Sequence, residues 1–115
     1  MNAKAAITDT ATLEALGNGR FKVQGVLNAV TVGSLLERSE ELFKGVPKIF
    51  VDLAGVPEGD SAGLALLIEW LRLAKQRQQE IYFAHIPVQV AALARISEVD
   101  GLLKPGAANH NGAKG

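Results

Sequence analysis

The segment GDSAGLALLIEW occupies residues 59–70 and decides the fold of this chain. Its first residues are small or polar, and the remainder is almost wholly apolar up to the only tryptophan, Trp70. A polar start followed by a long apolar run predicts a helix, which we place at about residues 61–78. The Asp60 carboxylate or the Ser61 hydroxyl is expected to cap this helix, because either oxygen can accept a hydrogen bond from an unpaired first-turn amide.

The predicted helix carries two apolar stripes. At about 100° per residue, one stripe must face the sheet and the other points to nearly the opposite side. The first stripe comprises Leu64, Leu67, Ile68 and Leu71. The second comprises Leu66, Trp70 and Leu73. Since one face is enough to build the core, the second stripe needs a cover, which is either the first or third helix of the chain or a partner protein.

We predict a partner-binding surface at the start of the helix and along its second stripe, because an exposed tryptophan is a favoured hot-spot residue. Ser61 is also a candidate phosphorylation site. A helix N-terminus favours negative charge, and a phosphate of about −2 charge there would change any interface that covers it. The predicted partner-binding residues are Asp60, Ser61, Ala62, Gly63, Leu66, Trp70 and Leu73.

Strands and helices alternate in the flanking sequence. Apolar alternation and short apolar runs predict strands at residues 12–16, 21–27, 48–53 and 81–84, with a short last strand at 102–103. A helix is expected to begin at Thr31 and end before Gly45, and a third helix to continue from Pro87 to Val99. The order β-β-α-β-α-β-α(-β) predicts an α/β fold with a mixed sheet of four to five strands, because strand–helix–strand connections make parallel neighbours.

The chain has the length and composition of one globular domain. Its 115 residues suffice for one hydrophobic core and not for two. We place the domain at residues 12–104, between a flexible N-terminus at 1–11 and a disordered tail at 105–115. The sequence shows neither a signal peptide nor the ~20 consecutive apolar residues that span a bilayer. A cytoplasmic protein without direct membrane insertion is therefore expected.

Composition and motifs argue against several functional classes. Lys plus Arg and Asp plus Glu both number 12, whereas nucleic-acid binding needs a clustered basic surface. The chain has no cysteine for disulfides or thiolate sites, and no P-loop. Acidic residues show no metal-ligand spacing, so we predict no cofactor and no metal. Histidine occurs only as His85 and His110, and Ser61 does not follow the apolar strand of a nucleophile elbow, so no enzyme is predicted.

Two stretches of the chain resemble the STAS domain family, whose fold is shared by bacterial anti-sigma factor antagonists and sulfate-transporter tails. The stretches are VDLAGV at residues 51–56 and DSAGLALL at residues 60–67. They match the family pattern of a D-L-[SA]-G-V strand end, a short loop, and D-[ST]-x-G-L at the opening of a helix. The resemblance covers roughly residues 12–104 and implies the STAS fold, a mixed sheet with its helices packed mainly on one side.

The resemblance also implies a binding function. Residues 64–70 and 93–97 are most similar to the cytoplasmic STAS subunit of a phospholipid-transporting ABC system. This similarity implies an ABC-transporter ATPase as partner, a position peripheral to the inner membrane, and an interface on or near Ser61. In the anti-sigma factor antagonists the same position is the serine that the partner kinase phosphorylates. An antagonist switched at Ser61 by an anti-sigma kinase is therefore the alternative function, and a nucleotide-binding or hydrolytic protein is the third.

Overall fold

The computed structural model describes residues 10–103. The strands are β1 (Ala11–Gly17), β2 (Arg20–Gly25), β3 (Lys48–Gly55) and β4 (Glu80–Ala84), and the helices are α1 (Val32–Leu42), α2 (Ser61–Gln76) and α3 (Val88–Ile96). The predicted flexible N-terminus and disordered tail lie outside the described residues, except that Ala11 begins a strand. A 3-10 helix at Asp100–Leu103 replaces the predicted last strand, and Leu103 is buried there, so its apolar character reflects core packing and not strand pairing.

The four strands form one mixed sheet in the order β1-β2-β3-β4. β1 and β2 are antiparallel, whereas β2, β3 and β4 are parallel to one another. The predicted α/β fold and its order β-β-α-β-α-β-α are confirmed. The turn that joins β1 to β2 has positive φ angles at Gly17, Asn18 and Gly19. Gly19 is needed for space as well, because a Cβ there would collide with the backbone oxygen of Lys48.

Helices cover one face of the sheet and leave the other open. Side chains alternate between the two faces along each strand. The buried residues of the covered face are Leu13, Phe21, Val23, Ile49, Val51, Leu53, Ile81 and Phe83. They form a single core together with buried residues of the three helices. On the open face, Lys48 and Phe50 of β3 are exposed.

Trp70 lies in this core and not on the surface. Only 2% of the residue is exposed, and its indole N–H donates a hydrogen bond to the Ser39 hydroxyl oxygen at 2.8 Å. The Ser39 hydroxyl in turn donates to the Leu36 carbonyl oxygen at 2.7 Å. The indole ring also packs on Phe43 and Phe83, with centroid distances of 5.4 and 6.3 Å. The tryptophan therefore joins α1 to α2 and to the sheet.

The predicted exposure of the second stripe is wrong, because its residues are buried or half-buried and Trp70 packs against both α1 and β4. Leu66 is 4% exposed, and Leu73 is half-buried. A buried indole N–H needs a hydrogen-bond acceptor, and Ser39 of α1 supplies one. Of the two explanations that the stripe left open, packing within the domain is the correct one, and the stacking of Trp70 on Phe83 shows that this stripe also contacts the sheet. The second apolar stripe of α2 therefore serves contacts within the domain.

Replacing Trp70 by alanine should destabilise the domain strongly. We expect the free energy of unfolding to fall by about 3–5 kcal/mol, the usual cost of removing a buried aromatic side chain. Arg72→Ala on the exposed side of the same helix is the matched control and should change it by less than about 0.5 kcal/mol. Urea unfolding followed by far-UV circular dichroism gives both values. Equal stability of the two variants would contradict the packing described for Trp70.

Candidate functional site

Backbone hydrogen bonds attach the segment before α2 to the loop that follows β2. The Leu27 N–H donates to the Glu58 carbonyl oxygen at 3.1 Å, and the Asp60 N–H donates to the Leu27 carbonyl oxygen at 3.0 Å. Leu27 and Gly59 thereby form an isolated parallel bridge. The Leu27 side chain is fully buried. This attachment fixes the position of Asp60 and of Ser61, the first residue of α2.

Gly59 and Gly63 let the start of α2 approach Leu27 and α3 closely. A Cβ on Gly59 would lie 2.8 Å from the Val90 Cγ2 atom, and a Cβ on Gly63 would lie 2.9 Å from the Leu27 Cβ atom. Neither glycine has a positive φ, so the requirement is for space. Gly63 was predicted to belong to the partner-binding surface, but it is buried and serves packing.

Asp60, and not Ser61, caps α2. The Asp60 Oδ1 atom accepts a hydrogen bond from the Ala62 N–H at 2.8 Å, and its carbonyl oxygen accepts from the Gly63 and Leu64 N–H groups. Ser61 follows as the first helical residue and is exposed. Within residues 10–103 its hydroxyl makes no hydrogen bond to the protein. Because the carboxylate already serves as the cap, the hydroxyl of Ser61 is accessible at the positive end of the helix dipole.

Two exposed valines lie on the segments that pack against the start of α2. Val30 is 67% exposed in the loop after Leu27, and Val88 is 81% exposed at the first position of α3. The Thr31 hydroxyl holds the first of these segments by donating to the Val26 carbonyl oxygen at 2.7 Å. We call Asp60, Ser61 and Ala62, together with the exposed Val30 and Val88 on the two neighbouring segments, the Ser61 edge.

Sequence reasoning did not find the two valines of the Ser61 edge. Val30 precedes a predicted helix, and Val88 follows Pro87 within a predicted apolar helix, so both patterns were consistent with burial.

The exposed side of α2 continues from Ser61 through Ala65 to Arg72, at helical spacings of four and seven residues. Arg72 forms a salt bridge of 2.6 Å with Glu69, which lowers the pKa of Glu69 and raises the pKa of Arg72.

The open face of the sheet carries an aromatic group that the sequence did not reveal. The Phe50 and Tyr82 rings stack with a centroid distance of 5.1 Å and an interplanar angle of 15°. The Arg20 guanidinium carbon lies 5.6 Å from the Phe50 ring centroid. The Tyr82 hydroxyl donates to the Glu80 carboxylate at 2.7 Å. Partial burial together with that carboxylate raises the pKa of Tyr82 to about 12, so the phenol is neutral at physiological pH.

Asp52 and His85 pair at the carboxyl ends of β3 and β4. The His85 Nδ1 atom lies 2.8 Å from the Asp52 Oδ1 atom, which also accepts a hydrogen bond from the Ala54 N–H at 2.9 Å. The hydrogen bond to His85, followed by that to Ala54, lowers the pKa of Asp52. The positive φ of 59° at His85 turns the chain out of β4. His85 therefore pairs with Asp52 and shares no hydrogen bond with Ser61 within the described range.

Within residues 10–103, no cluster of three or more histidine or acidic side chains is arranged to hold a metal ion. None of the helices in this part of the chain has the length and apolar character needed to cross a membrane.

The fold and the site together define the class of this domain. A mixed four-stranded sheet, covered on one face by three helices, holds an exposed serine at the start of α2 behind an aspartate cap. A family model described as "Mlab, STAS domain" matches residues 11–104. The chain therefore belongs to the STAS domain family.

Two solved structures show the same fold. The unphosphorylated form of the anti-sigma factor antagonist SpoIIAA has a TM-score of 0.63 at 16% identity, with 82% of this chain and 85% of that chain covered. The crystal structure of Mglu has a TM-score of 0.53 at 22% identity over 68% of this chain. The match spans only 20% of the Mglu chain. No curated protein sequence is significantly similar to this chain. At these identities the likeness concerns the fold alone.

Gly63→Ala should destabilise the domain, because its new Cβ would collide with Leu27. We expect a loss of about 1–3 kcal/mol in the free energy of unfolding, as for other overpacked sites. Gly33→Ala in α1 is the matched control, since nothing lies within 4 Å of a Cβ there. The free energy of unfolding of Gly33→Ala should be unchanged or higher by up to about 1 kcal/mol, because alanine favours the helical conformation more than glycine does. Thermal unfolding compares the two, and the reverse order of stability would contradict the close approach.

The pairing of Asp52 with His85 should be visible in the titration of the carboxylate. The folded-state pKa of Asp52 lies below its ordinary value of 3.8. The pair therefore stabilises the fold above the unfolded-state pKa, and this stabilisation is lost as the pH falls through the folded-state pKa. In His85→Gly, which tolerates the positive φ, the pKa of Asp52 should rise, while the Ala54 bond keeps it from rising fully. Carboxyl-carbon NMR measures it, and an unchanged midpoint would contradict the pairing.

Proposed function

We propose that this chain is a non-enzymatic STAS subunit of an Mla-type phospholipid-transport ABC complex, which maintains outer-membrane lipid asymmetry. In this proposal the domain binds the ATPase subunit in the cytoplasm and regulates or stabilises it. The chain is then peripheral to the inner membrane through its partner. Support comes from the family model that matches residues 11–104, whose description reads "Mlab, STAS domain".

The observation that carries the proposal is the Ser61 edge. Its apolar contribution comes from Val30 and Val88, which are 67% and 81% exposed although both are aliphatic. Exposed aliphatic side chains beside accessible polar groups are typical of a binding surface, where the apolar part supplies affinity and the polar part supplies orientation. Ser61 and Ala62 have small side chains, so a partner can approach the first turn of α2 closely.

The rigidity of the edge supports a docking mechanism. Leu27 holds the loop before α2 through two backbone hydrogen bonds, and the Thr31 hydroxyl holds the loop after β2. A surface that is ordered before binding loses little conformational entropy when the partner docks. In this proposal the domain binds one conformation of the ATPase more tightly than the others and thereby favours that conformation. Leu66 and Trp70 take no part, because they are buried.

A negative charge at Ser61 should weaken binding of the ATPase subunit. Ser61→Glu replaces a small neutral side chain by a larger one that adds a second carboxylate next to Asp60, and we expect the dissociation constant to rise at least about tenfold, or ~1.4 kcal/mol. Val88→Asp should have a comparable effect, because it places a charge at an apolar contact. Both are measured by calorimetric titration of the purified chain with the ATPase subunit.

Two matched variants control that experiment. Ser61→Ala keeps the size of the contact and should bind nearly as the natural chain does. Lys44→Glu changes the charge at the exposed end of α1, which precedes β3, and should leave the affinity unchanged. If Ser61→Glu and Val88→Asp both bind with the natural affinity, the Ser61 edge is not the interface.

An anti-sigma factor antagonist switched by phosphorylation of Ser61 is the second candidate function. It is favoured by the structural likeness to SpoIIAA, a protein described as an anti-sigma factor antagonist in its unphosphorylated form. The exposed Ser61 hydroxyl, which makes no hydrogen bond to residues 10–103, is open to a kinase. A phosphate there would lie at the positive end of the dipole of α2, which tolerates negative charge.

Phosphate transfer distinguishes the two functions. The chain is incubated with ATP and an anti-sigma kinase, and intact-mass spectrometry follows the addition of phosphate, with Ser61→Ala as the control. The switched antagonist predicts complete labelling that Ser61→Ala abolishes. The transport subunit predicts no labelling together with tight binding to the ATPase subunit.

A further inference from the structure

A groove lies on the open face of the sheet, on the side that the helices leave uncovered. Its volume is about 760 Å³, which is within the range of small-molecule sites, about 300–1,000 Å³. Mostly apolar side chains line it, among them Leu16, Phe50, Tyr82 and Ile86. Leu16 is 51% exposed and Phe50 is 37% exposed, so the domain itself does not cover this apolar surface.

The carboxylates of this face already have partners. Asp52 accepts hydrogen bonds from His85 and from the Ala54 N–H, and it is paired in register with Lys22 on β2. Glu80, on the outermost strand, accepts the hydrogen bond of the Tyr82 hydroxyl. The acidic groups of the groove are therefore engaged in contacts within the domain.

Arg20 differs from these groups. Its guanidinium carbon lies over the Phe50 ring, 5.6 Å from the ring centroid, and in the part of the chain that the structure describes the guanidinium forms no salt bridge. The N–H groups of a guanidinium match the two oxygens of a carboxylate. The charged group that lacks a salt-bridge partner beside the apolar surface is therefore the positive guanidinium of Arg20.

We propose that this groove binds a small apolar molecule that carries one carboxylate. Arg20 binds the carboxylate through paired N–H donors, and the apolar body of the ligand packs on Phe50, Tyr82 and Leu16. The cation–π contact with Phe50 favours this position of the guanidinium before the ligand binds. The site belongs to the opposite side of the sheet from the helices, so it does not depend on the function proposed for the Ser61 edge.

The probes for this site are 2-naphthoate and its uncharged counterpart 2-naphthalenemethanol. Each is titrated into the full chain while amide NMR shifts are followed. We expect shifts at Leu16, Phe50 and Tyr82, and we expect the carboxylate to bind about tenfold more tightly than the alcohol, as for a charge-assisted pair. Arg20→Gln should remove this preference and leave the affinity for the alcohol unchanged.

Two other variants complete the experiment. Phe50→Ala should weaken both probes, because it removes apolar contact and the stacking partner of Arg20. Lys75→Gln, on the exposed end of α2, should affect neither. The indole N–H signal of Trp70 reports whether each variant retains the fold. Equal affinities of the natural chain for the two probes, an Arg20→Gln variant that still prefers 2-naphthoate, or shifts confined to the Ser61 edge would each overturn the proposal.

Discussion

The contact between Leu27 and the loop before α2 positions Asp60 and Ser61 at the start of α2. Two backbone hydrogen bonds and an isolated bridge join them, and Gly59 and Gly63 provide the space that this contact needs. The loop after β2, the start of α2 and the start of α3 thereby meet around one buried leucine. The exposed serine is held on a rigid support because the glycines beside it are part of the core.

A second contact decides which surface is left for a partner. The hydrogen bond from Trp70 to Ser39 and the aromatic contacts around it use the apolar side of α2 to attach α1. What remains exposed on α2 is its polar and small side, from Ser61 to Arg72. In the proposed complex the partner contacts the first turn of α2 and the neighbouring valines, because Trp70 is buried.

Much of the fold could be predicted from the sequence, since apolar periodicity reports each strand and helix locally. Contacts between residues distant along the chain could not be predicted in this way. The indole of Trp70 is hydrogen-bonded to Ser39, 31 residues away, and Asp52 pairs with His85, 33 residues away. A helical pattern shows that a stripe is apolar, and it does not show which element covers it. The cap was ambiguous for a related reason, because Asp60 and Ser61 are both good capping residues and only the backbone geometry of Asp60 decides between them.

We propose the Ser61 edge as the surface by which this domain binds an ATPase subunit. Hydrogen–deuterium exchange of the chain, alone and with a saturating amount of that subunit, shows directly which segments the subunit covers. We expect added protection only in the loop after β2 and the first turns of α2 and α3, while the exchange of β3 and β4 is unchanged. Protection on the open sheet face without protection at the start of α2 would mean that the subunit binds elsewhere.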